Sequence, residues 1–440
     1  MQGSFKRLKN KRFSYVLAAF FLLWVGLLPL PSQEDAIVSS QSWNEKGQAL
    51  ARQTGTLVLP LCRMGSFMLE VPENTPLGGY TLPRSSREAG SVQMGVLLMG
   101  RDDQQIAIVS AEILLFTPGL AQKVRSAFKQ RGLANTLFTA THTHSGPGGF
   151  GTTPLERMVL GQDAGAERAI LRSLIRALDN ASSQPPSVLR TTSIQTEFLL
   201  RRTQSHETLD DKINLLTCGP KNIWVMHPAH PVTEQRMDVL HGDWPQLLMT
   251  SLRAKGFKNA LYASSSGGEV SLDRPQGRET TVAKMVALIE KTLPNMKPIK
   301  SPMHLKEIQI PLPELQMPIH PQWQLRGLIP QWLLPSKAAT SIQVLHHPTL
   351  DWFFMPYEAS AVLWGPQLAS RQKNRLLFHT PFNGDYVGYI VPQERHGTAG
   401  PEQLLSLMGP QAAARHLALL NGYLAASMTV DHQDSGTSPE

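Results

Sequence analysis

Cysteine is almost absent from this chain of 440 residues, which has only Cys62 and Cys218. Two cysteines are too few for a framework of several disulfides or for a cysteine-rich zinc site. A single bridge between them is compatible with the sequence, but no pattern predicts it. Any metal site must therefore use mainly histidine and carboxylate ligands.

Charged residues are also scarce, at 17% of the chain, while hydrophobic residues make up an ordinary 41%. This composition is typical of a globular protein rather than a disordered one. Five basic residues near the N-terminus contribute much of the formal net charge of +8. The mild excess elsewhere gives no indication of a nucleic-acid partner.

Long apolar runs are lacking except for residues 14–30, which follow those basic residues and precede the polar Gln33-Glu34-Asp35. This order is typical of a secretory signal. The length lies between that of a signal peptide and that of a full membrane span, and no clear cleavage site follows. We therefore predict that residues 1–32 are a signal peptide or a signal anchor with an apolar helix, which places the rest of the chain outside the cytoplasm.

The remaining sequence alternates between strand and helix patterns, without internal repeats. Apolar β-forming runs at 92–99, 106–111 and 135–140 predict buried strands. Amphipathic or capped segments predict helices at 118–132, 154–182, 244–254, 280–293 and 402–427. We predict an α/β (α+β) fold over residues 33–430, with a large mixed β-sheet flanked by helices, and a disordered tail at 431–440.

The segment richest in candidate functional residues runs from Thr141 to Gly149 and reads Thr-His-Thr-His-Ser-Gly-Pro-Gly-Gly. It follows a predicted strand, and alternate residues of an extended chain point to the same face. His142 and His144 are therefore predicted to face the same way at the end of that strand. Such a pair suits a metal site or acid–base chemistry.

The nonapeptide resembles the signature of the neutral/alkaline non-lysosomal ceramidases, zinc amidases that cleave fatty acid from sphingosine. Further segments resemble those of the family in the same order along the chain. The resemblance implies a single catalytic domain and a Zn²⁺ site formed by His142, His227, Glu358 and Tyr389. His227 matches the second histidine best, with His230 as the alternative.

Two more segments carry family resemblances with departures. The stretch 261–272 resembles the family's Gly-Asp-Val-Ser-Pro segment, which implies that Ser271 is the active-site serine, although Glu269 and Leu272 replace the aspartate and the proline. The Arg-Arg pair at 201–202 resembles an Asn-Arg-Arg motif, which implies that Arg202, or alternatively Arg201, binds the substrate. Pro401 stands where the family commonly has tyrosine.

The resemblance implies a zinc-dependent hydrolase that cleaves the amide bond of an N-acyl lipid. In this reading zinc activates water, and His144 acts as the general acid and base and contacts the substrate. Whether Ser271 attacks or only hydrogen-bonds stays open. The alternatives are a related zinc amidase or esterase with another N-acyl or cell-envelope substrate, and a non-catalytic binding protein on the same scaffold.

Overall fold

The computed structural model describes most of the chain at the level of individual residues. The described residues are 27–29, 33–79, 84–101, 104–201, 209–234, 236–320, 323–325, 332–334, 337–363, 375–398 and 400–434.

The described strands follow one another along the whole chain. They are β1 (Leu27–Pro29), β2 (Thr56–Val58), β3 (Leu61–Val71), β4 (Pro76–Leu77), β5 (Arg84–Ser85), β6 (Gly90–Met99), β7 (Ile106–Ala111), β8 (Asn135–Ala140), β9 (Ser187–Gln195), β10 (Leu199–Arg201), β11 (Lys212–Cys218), β12 (Asn222–His227), β13 (Asn259–Ser264), β14 (Val270–Leu272), β15 (Lys297–Pro298), β16 (Met303–Pro311), β17 (Met317–His320), β18 (Trp323–Leu325), β19 (Ala339–His347), β20 (Leu350–Phe354), β21 (Glu358–Ala359), β22 (Leu376–Thr380) and β23 (Tyr389–Ile390).

The α-helices within the described ranges lie between and after these strands. They are α1 (Gln33–Arg52), α2 (Pro118–Lys129), α3 (Pro154–Leu160), α4 (Ala164–Ser182), α5 (Asp243–Ala254), α6 (Arg278–Thr292), α7 (Pro401–Leu404) and α8 (Ala412–Asp434).

A nine-stranded mixed sheet forms the centre of the molecule, as the sequence predicted. Its order is β13-β12-β11-β9-β3-β6-β7-β8, with β15 paired to β9. The pairs β12/β13 and β7/β8 are parallel, and the other neighbours are antiparallel. A second sheet, in the order β2-β16-β19-β20-β22, was not predicted.

Side-chain alternation in β20 explains how the two sheets and the helices stack in layers. Trp352 points towards the nine-stranded sheet, where its ring meets Trp224 edge to face at 5.8 Å. Phe353 points the other way and meets Tyr423 of α8 at 5.1 Å. Because successive strand residues face opposite sides, one strand serves two cores. Helices α2, α4, α5 and α6 cover the outer face of the large sheet.

The nine-stranded sheet curls until its two edges approach each other. Ser110 in β7, next to the edge strand β8, donates a hydrogen bond to the carbonyl of Tyr262 in the opposite edge strand β13. Asn259 of β13 likewise donates to the carbonyl of Met64 in β3. This closure brings the segment after β8 to the loops after β12 and β13.

Several helix boundaries differ from the predictions. The helix predicted over 154–182 is two helices, because Gly161 adopts a positive φ of 69° and Asp163 caps a new N-terminus by accepting from the amides of Gly165 and Ala166. The helix predicted over 402–427 is also divided, into α7 and α8. Helix α8 continues to Asp434, so the first four residues of the predicted tail are helical. Residues 435–440 lie outside the described part of the chain.

The predicted apolar helix near the N-terminus is not supported. Residues 14–26 and 30 lie outside the described residues, while Leu27–Pro29 forms a strand antiparallel to Trp323–Leu325. Within the described ranges, no helix is both long enough and apolar enough to cross a bilayer.

The two cysteines are bonded to each other. The disulfide joins Cys62 in β3 to Cys218 in β11, on either side of β9 and 156 residues apart in sequence. The disulfide therefore links β3, which comes first along the chain in the large sheet, to β11 across the intervening strand β9.

Candidate metal centre and its cavity

His142 leaves the end of β8 in a conformation that the alternation argument did not foresee. The strand ends at Ala140, and His142 has a φ of 63°, so the chain is not extended there. Its Nδ1 lies 2.8 Å from the carbonyl oxygen of Leu114. A carbonyl can only accept, so Nδ1 carries the proton and Nε2 keeps a lone pair for a ligand bond. Phe382 stacks on the ring at 4.6 Å and fixes its plane.

His230 lies in the loop after β12 and is oriented in the same way. Its Nδ1 is 2.8 Å from the carbonyl oxygen of Gly267, which again places the proton on Nδ1 and the lone pair on Nε2. The indole of Trp244 donates to the His230 carbonyl, which holds the loop from the other side. The rings of His142 and His230 lie 4.7 Å apart, so the two lone pairs reach a common point.

Glu358 and Tyr389 complete this group from the second half of the chain. They are register partners in the two-stranded parallel sheet of β21 and β23. Glu358 is fully buried, and its Oε2 lies 3.4 Å from Nε2 of His142. The Tyr389 hydroxyl lies 3.4 Å from Nε2 of His142 and 3.5 Å from Nε2 of His230.

The spacing of these donor atoms fits a metal ion. Tetrahedral zinc with ligand bonds of 2.0–2.1 Å requires donor atoms about 3.3–3.4 Å apart. The observed separations of 3.4–3.5 Å match that requirement better than they match strong hydrogen bonds. The three residues His142, His144 and His230 also offer ligand atoms within 4.8 Å of one another. The residues of this centre could therefore hold a metal ion.

His227, the better sequence match, does not join the cluster. It is the last residue of β12 and is fully buried, with Nε2 3.4 Å from Oδ1 of Asp211 and its ring against Trp244. Burial raises the pKa of Asp211, but hydrogen bonds from His227, Thr196 and Leu199 lower it overall. His230 lies three residues later, in the loop beyond the strand end, so the alternation of the strand does not set its direction. The structure thus groups His230, the alternative, with His142.

His144 lies beside the group formed by His142, His230, Glu358 and Tyr389, and it is half-buried at the cavity. Its ring is 5.1 Å from that of His142 and 5.6 Å from that of His230. Its carbonyl accepts from the Arg84 guanidinium at 2.6 Å. Gly79 packs so closely that a Cβ there would lie 2.5 Å from the His144 Cα, so only glycine fits. The structure therefore places both predicted histidines of the motif at one site.

Ser271 and the arginine pair are less closely connected with the centre. Ser271 is half-buried in β14, opposite Leu200 of β10, and its backbone bridges to that of His230. Among the described residues, those that line the cavity do not include Ser271. Arg202 lies outside the described residues, and Arg201 is the last residue of β10.

Several supporting residues carry little or no sequence signal of their role. Phe382 has a φ of 69° and Asp243 one of 56°, values that few non-glycine residues adopt. The Asp243 carboxylate accepts from the amides of Thr233 and Glu234 and so holds the loop after His230. Burial raises the pKa of the Tyr386 hydroxyl well above its usual value, so Tyr386 stays neutral beside the centre. The only signal available for Asp243 was its position after a small residue.

A cavity of about 420 Å³ opens onto this candidate metal centre. His142, His144, His230 and Tyr389 form its polar end. Apolar side chains form most of its remaining wall, including Leu114, Leu115, Leu155, Val159, Leu405 and Leu407. The arrangement can bind an apolar chain with a polar group held at the candidate metal centre.

Comparison with solved structures identifies proteins with the same architecture. The structure of neutral ceramidase from Pseudomonas aeruginosa superposes with a TM-score of 0.65 at 16% identity, over 84% of this chain and 75% of that one. A ceramidase described as complexed with C2 superposes with a TM-score of 0.64 at 14% identity, over 84% and 76% of the two chains. No protein-family profile matches the sequence, and no curated protein matches it.

The resemblance to the neutral ceramidases is thus confirmed at the level of the fold. The prediction of one mixed α and β domain with a large sheet is confirmed as well. At such low identity the likeness shows the architecture alone, so activity must be argued from the site.

Proposed function

We propose that this protein is a zinc-dependent amidohydrolase of the ceramidase type, which cleaves the amide bond of an N-acyl lipid. The observation that carries this proposal is the convergence of His142, His230, Glu358 and Tyr389, of which the two histidines and the tyrosine line an apolar cavity. The neutral ceramidase fold supports it.

In this proposal His142 and His230 hold zinc through Nε2, together with Glu358 and the Tyr389 hydroxyl. Both imidazoles already have the tautomer that ligation needs, because backbone carbonyls accept from their Nδ1 protons. Zinc, when bound, supplies Lewis acidity towards an amide carbonyl and towards water. Glu358 brings a negative charge into a buried site, where a dication offsets the cost of burying it.

His144 is the proposed proton carrier. Its ring lies beside the proposed ligands and is itself exposed to the cavity, where the amide of the substrate would lie. An imidazole can accept a proton from water and donate one to the leaving amine near neutral pH. Ser271, half-buried beside the His230 backbone, is a less direct participant in this proposal.

The substrate class follows from the shape of the cavity. An apolar wall and a polar end suit one acyl chain with its amide at the metal centre. The replacement at Leu272 does not change this surface, because Leu272 is buried in the apolar cluster with Tyr262. Pro401, in contrast, begins helix α7, whose Glu402 lines the cavity. Differences in substrate from the ceramidases would therefore arise at that wall.

We also propose that the domain lies outside the cytoplasm. The Cys62–Cys218 disulfide supports this location, since such bonds persist mainly in oxidising compartments.

The decisive experiment measures zinc in the purified protein and cleavage of a fluorescent ceramide by the same sample. Near-stoichiometric zinc with ceramide cleavage would establish the proposed activity. Zinc without ceramide cleavage, but with cleavage of another N-acyl amine or ester in a substrate panel, would keep the hydrolase and change its substrate. A folded protein that takes up no zinc would refute the proposal and favour a binding protein.

A further inference from the structure

We propose that Glu269 is a positioning residue that fastens one wall of the cavity to the metal centre and so sets substrate selectivity. This inference rests on the proposed function and concerns a residue that departs from the family's Gly-Asp-Val-Ser-Pro segment, where aspartate is usual. Glu269 is a buried carboxylate, with 3% of its surface exposed. It is neither a proposed ligand nor one of the described residues that line the cavity.

The carboxylate of Glu269 joins three separate segments. Its Oε2 accepts hydrogen bonds from the Ser360 hydroxyl and from the Arg395 guanidinium, each at 2.6 Å. Its Oε1 accepts from the side-chain amide of Gln403 at 2.8 Å. The arginine bond is a largely buried ion pair, and charge-assisted hydrogen bonds of this kind are the strongest of their class.

One of these segments belongs to the metal centre. Ser360 follows the proposed ligand Glu358 by two residues, and its backbone bridges to Gly268. On the other side of Gly268, the Gly267 carbonyl accepts from Nδ1 of His230. The Glu269 backbone therefore continues directly from the loop that orients one proposed ligand. Its side chain bonds Ser360, the residue directly after the strand that carries another proposed ligand.

A second of these segments, which contains Gln403, carries part of the wall of the cavity. Gln403 lies in α7 between Glu402 and Leu405, which both line the cavity. The Leu405 carbonyl in turn accepts from the Tyr389 amide at 3.0 Å. Releasing the Glu269 carboxylate would free this wall on one side while the Tyr389 contact still held it on the other. The expected consequence is a wider, less selective cavity with an intact metal centre.

The backbone of Glu269 adopts an unfavourable conformation that surrounding contacts must stabilise. Its φ of 67° lies in the left-handed region, which is costly for a residue with a Cβ. Such a conformation persists only where surrounding contacts enforce it. An aspartate has one methylene less, so from the same backbone position it could not keep all three bonds. The longer side chain is therefore suited to this particular connection.

The test compares the wild type with Glu269→Gln and Glu269→Asp. For each protein the zinc content, kcat and KM are measured over a series of N-acyl chain lengths, together with amide hydrogen exchange over residues 400–409. We expect zinc content to stay unchanged, KM to rise about tenfold with kcat nearly constant, and selectivity among chain lengths to shrink. Exchange over residues 400–409 should become faster.

The matched control is Asp351→Asn. Asp351 is also a buried carboxylate with three side-chain partners, Arg375, His346 and Tyr423, but it lies in the second sheet away from the cavity. This variant should lose thermal stability while its KM and the exchange over residues 400–409 stay as in the wild type. It separates a general loss of stability from a loss of positioning.

Gln403→Ala provides a milder variant in case the Glu269 variants do not fold, because it removes one hydrogen bond from an uncharged donor and keeps the ion pair. It should raise KM by a smaller factor. Unchanged KM and unchanged exchange in all variants would overturn the inference. Loss of zinc or of kcat at constant KM would also overturn it, since Glu269 would then support only the metal centre. A wild type without zinc or amide cleavage refutes the proposed function instead, and the exchange comparison still tests the connection.

Discussion

Glu358 and Tyr389 stand directly opposite each other in two strands of two residues each, and both side chains approach Nε2 of His142 or His230. The backbone hydrogen bonds of this small parallel pair fix the distance between a carboxylate and a phenol. The histidines are fixed separately, by carbonyls at the ends of the large sheet. The candidate centre therefore depends on how these two parts pack.

The first prediction separates the two candidate histidines after β12. His230→Ala should reduce the zinc content of the purified protein to a small fraction, because it removes one proposed ligand atom. His227→Ala should keep zinc and lose stability, since it leaves an empty space where the imidazole ring was and removes a hydrogen-bond partner of the buried Asp211. Elemental analysis with thermal unfolding checks both. Loss of zinc in the His227 variant alone would reverse the assignment.

The second prediction concerns His144. His144→Gln should retain zinc and lower kcat by about 10²–10⁴-fold, as expected when a general acid–base group is lost. The measurement combines elemental analysis with steady-state kinetics on the best amide substrate. Since His144 also belongs to the three-histidine cluster, loss of zinc in this variant would instead make it a ligand. His241→Gln is the control, because the His241 ring bonds the Arg236 carbonyl and the Asp243 amide and is not among the described residues that line the cavity.

The third prediction concerns the disulfide. Replacing both Cys62 and Cys218 by serine should lower the free energy of unfolding by about 2–5 kcal/mol, because the bridge closes a long loop in the unfolded chain. Chemical denaturation measures the change. A reducing agent should destabilise the wild type and leave the double variant unaffected. Equal responses of the two proteins would show that the bridge does not form.

The fourth prediction concerns the pH dependence of stability through Glu112. Burial raises the pKa of Glu112 from 4.5 to about 7, although a hydrogen bond from the Gln93 amide and the charge of Arg253 oppose the rise. The folded state then binds a proton that the unfolded state releases. Stability should therefore fall as pH rises from about 4.5 to 7, by up to about 3 kcal/mol.

Glu112→Gln should remove this part of the pH dependence, since glutamine keeps the shape of the protonated acid. Denaturation curves between pH 4.5 and 8 provide the measurement, and Glu156→Gln, at a partly exposed capping position, is the comparison. An unchanged slope in the Glu112 variant would show that Glu112 is ionised in the folded protein throughout this range.

Local patterns in the sequence were sufficient for much of the architecture. Alternation and capping residues predicted the buried strands β6, β7 and β8 and most helices, because these signals act over a few neighbouring residues. The second sheet was not predicted, since the pairing of β2 with β16 joins residues about 250 positions apart. The split of the helix predicted over 154–182 depended on a single glycine with positive φ.

The sequence by itself determined which residue types were available for a metal centre. Its shortage of cysteine required histidine and carboxylate. Its resemblance to the ceramidase motifs implied His142, His227, Glu358 and Tyr389 as ligands, with His230 as the alternative to His227. Only the tertiary structure decided that His230 rather than His227 approaches His142. The choice depends on where β12 ends and on the Gly267 and Leu114 carbonyls that orient the rings. Those contacts exist only after the sheet has curled and distant loops have met.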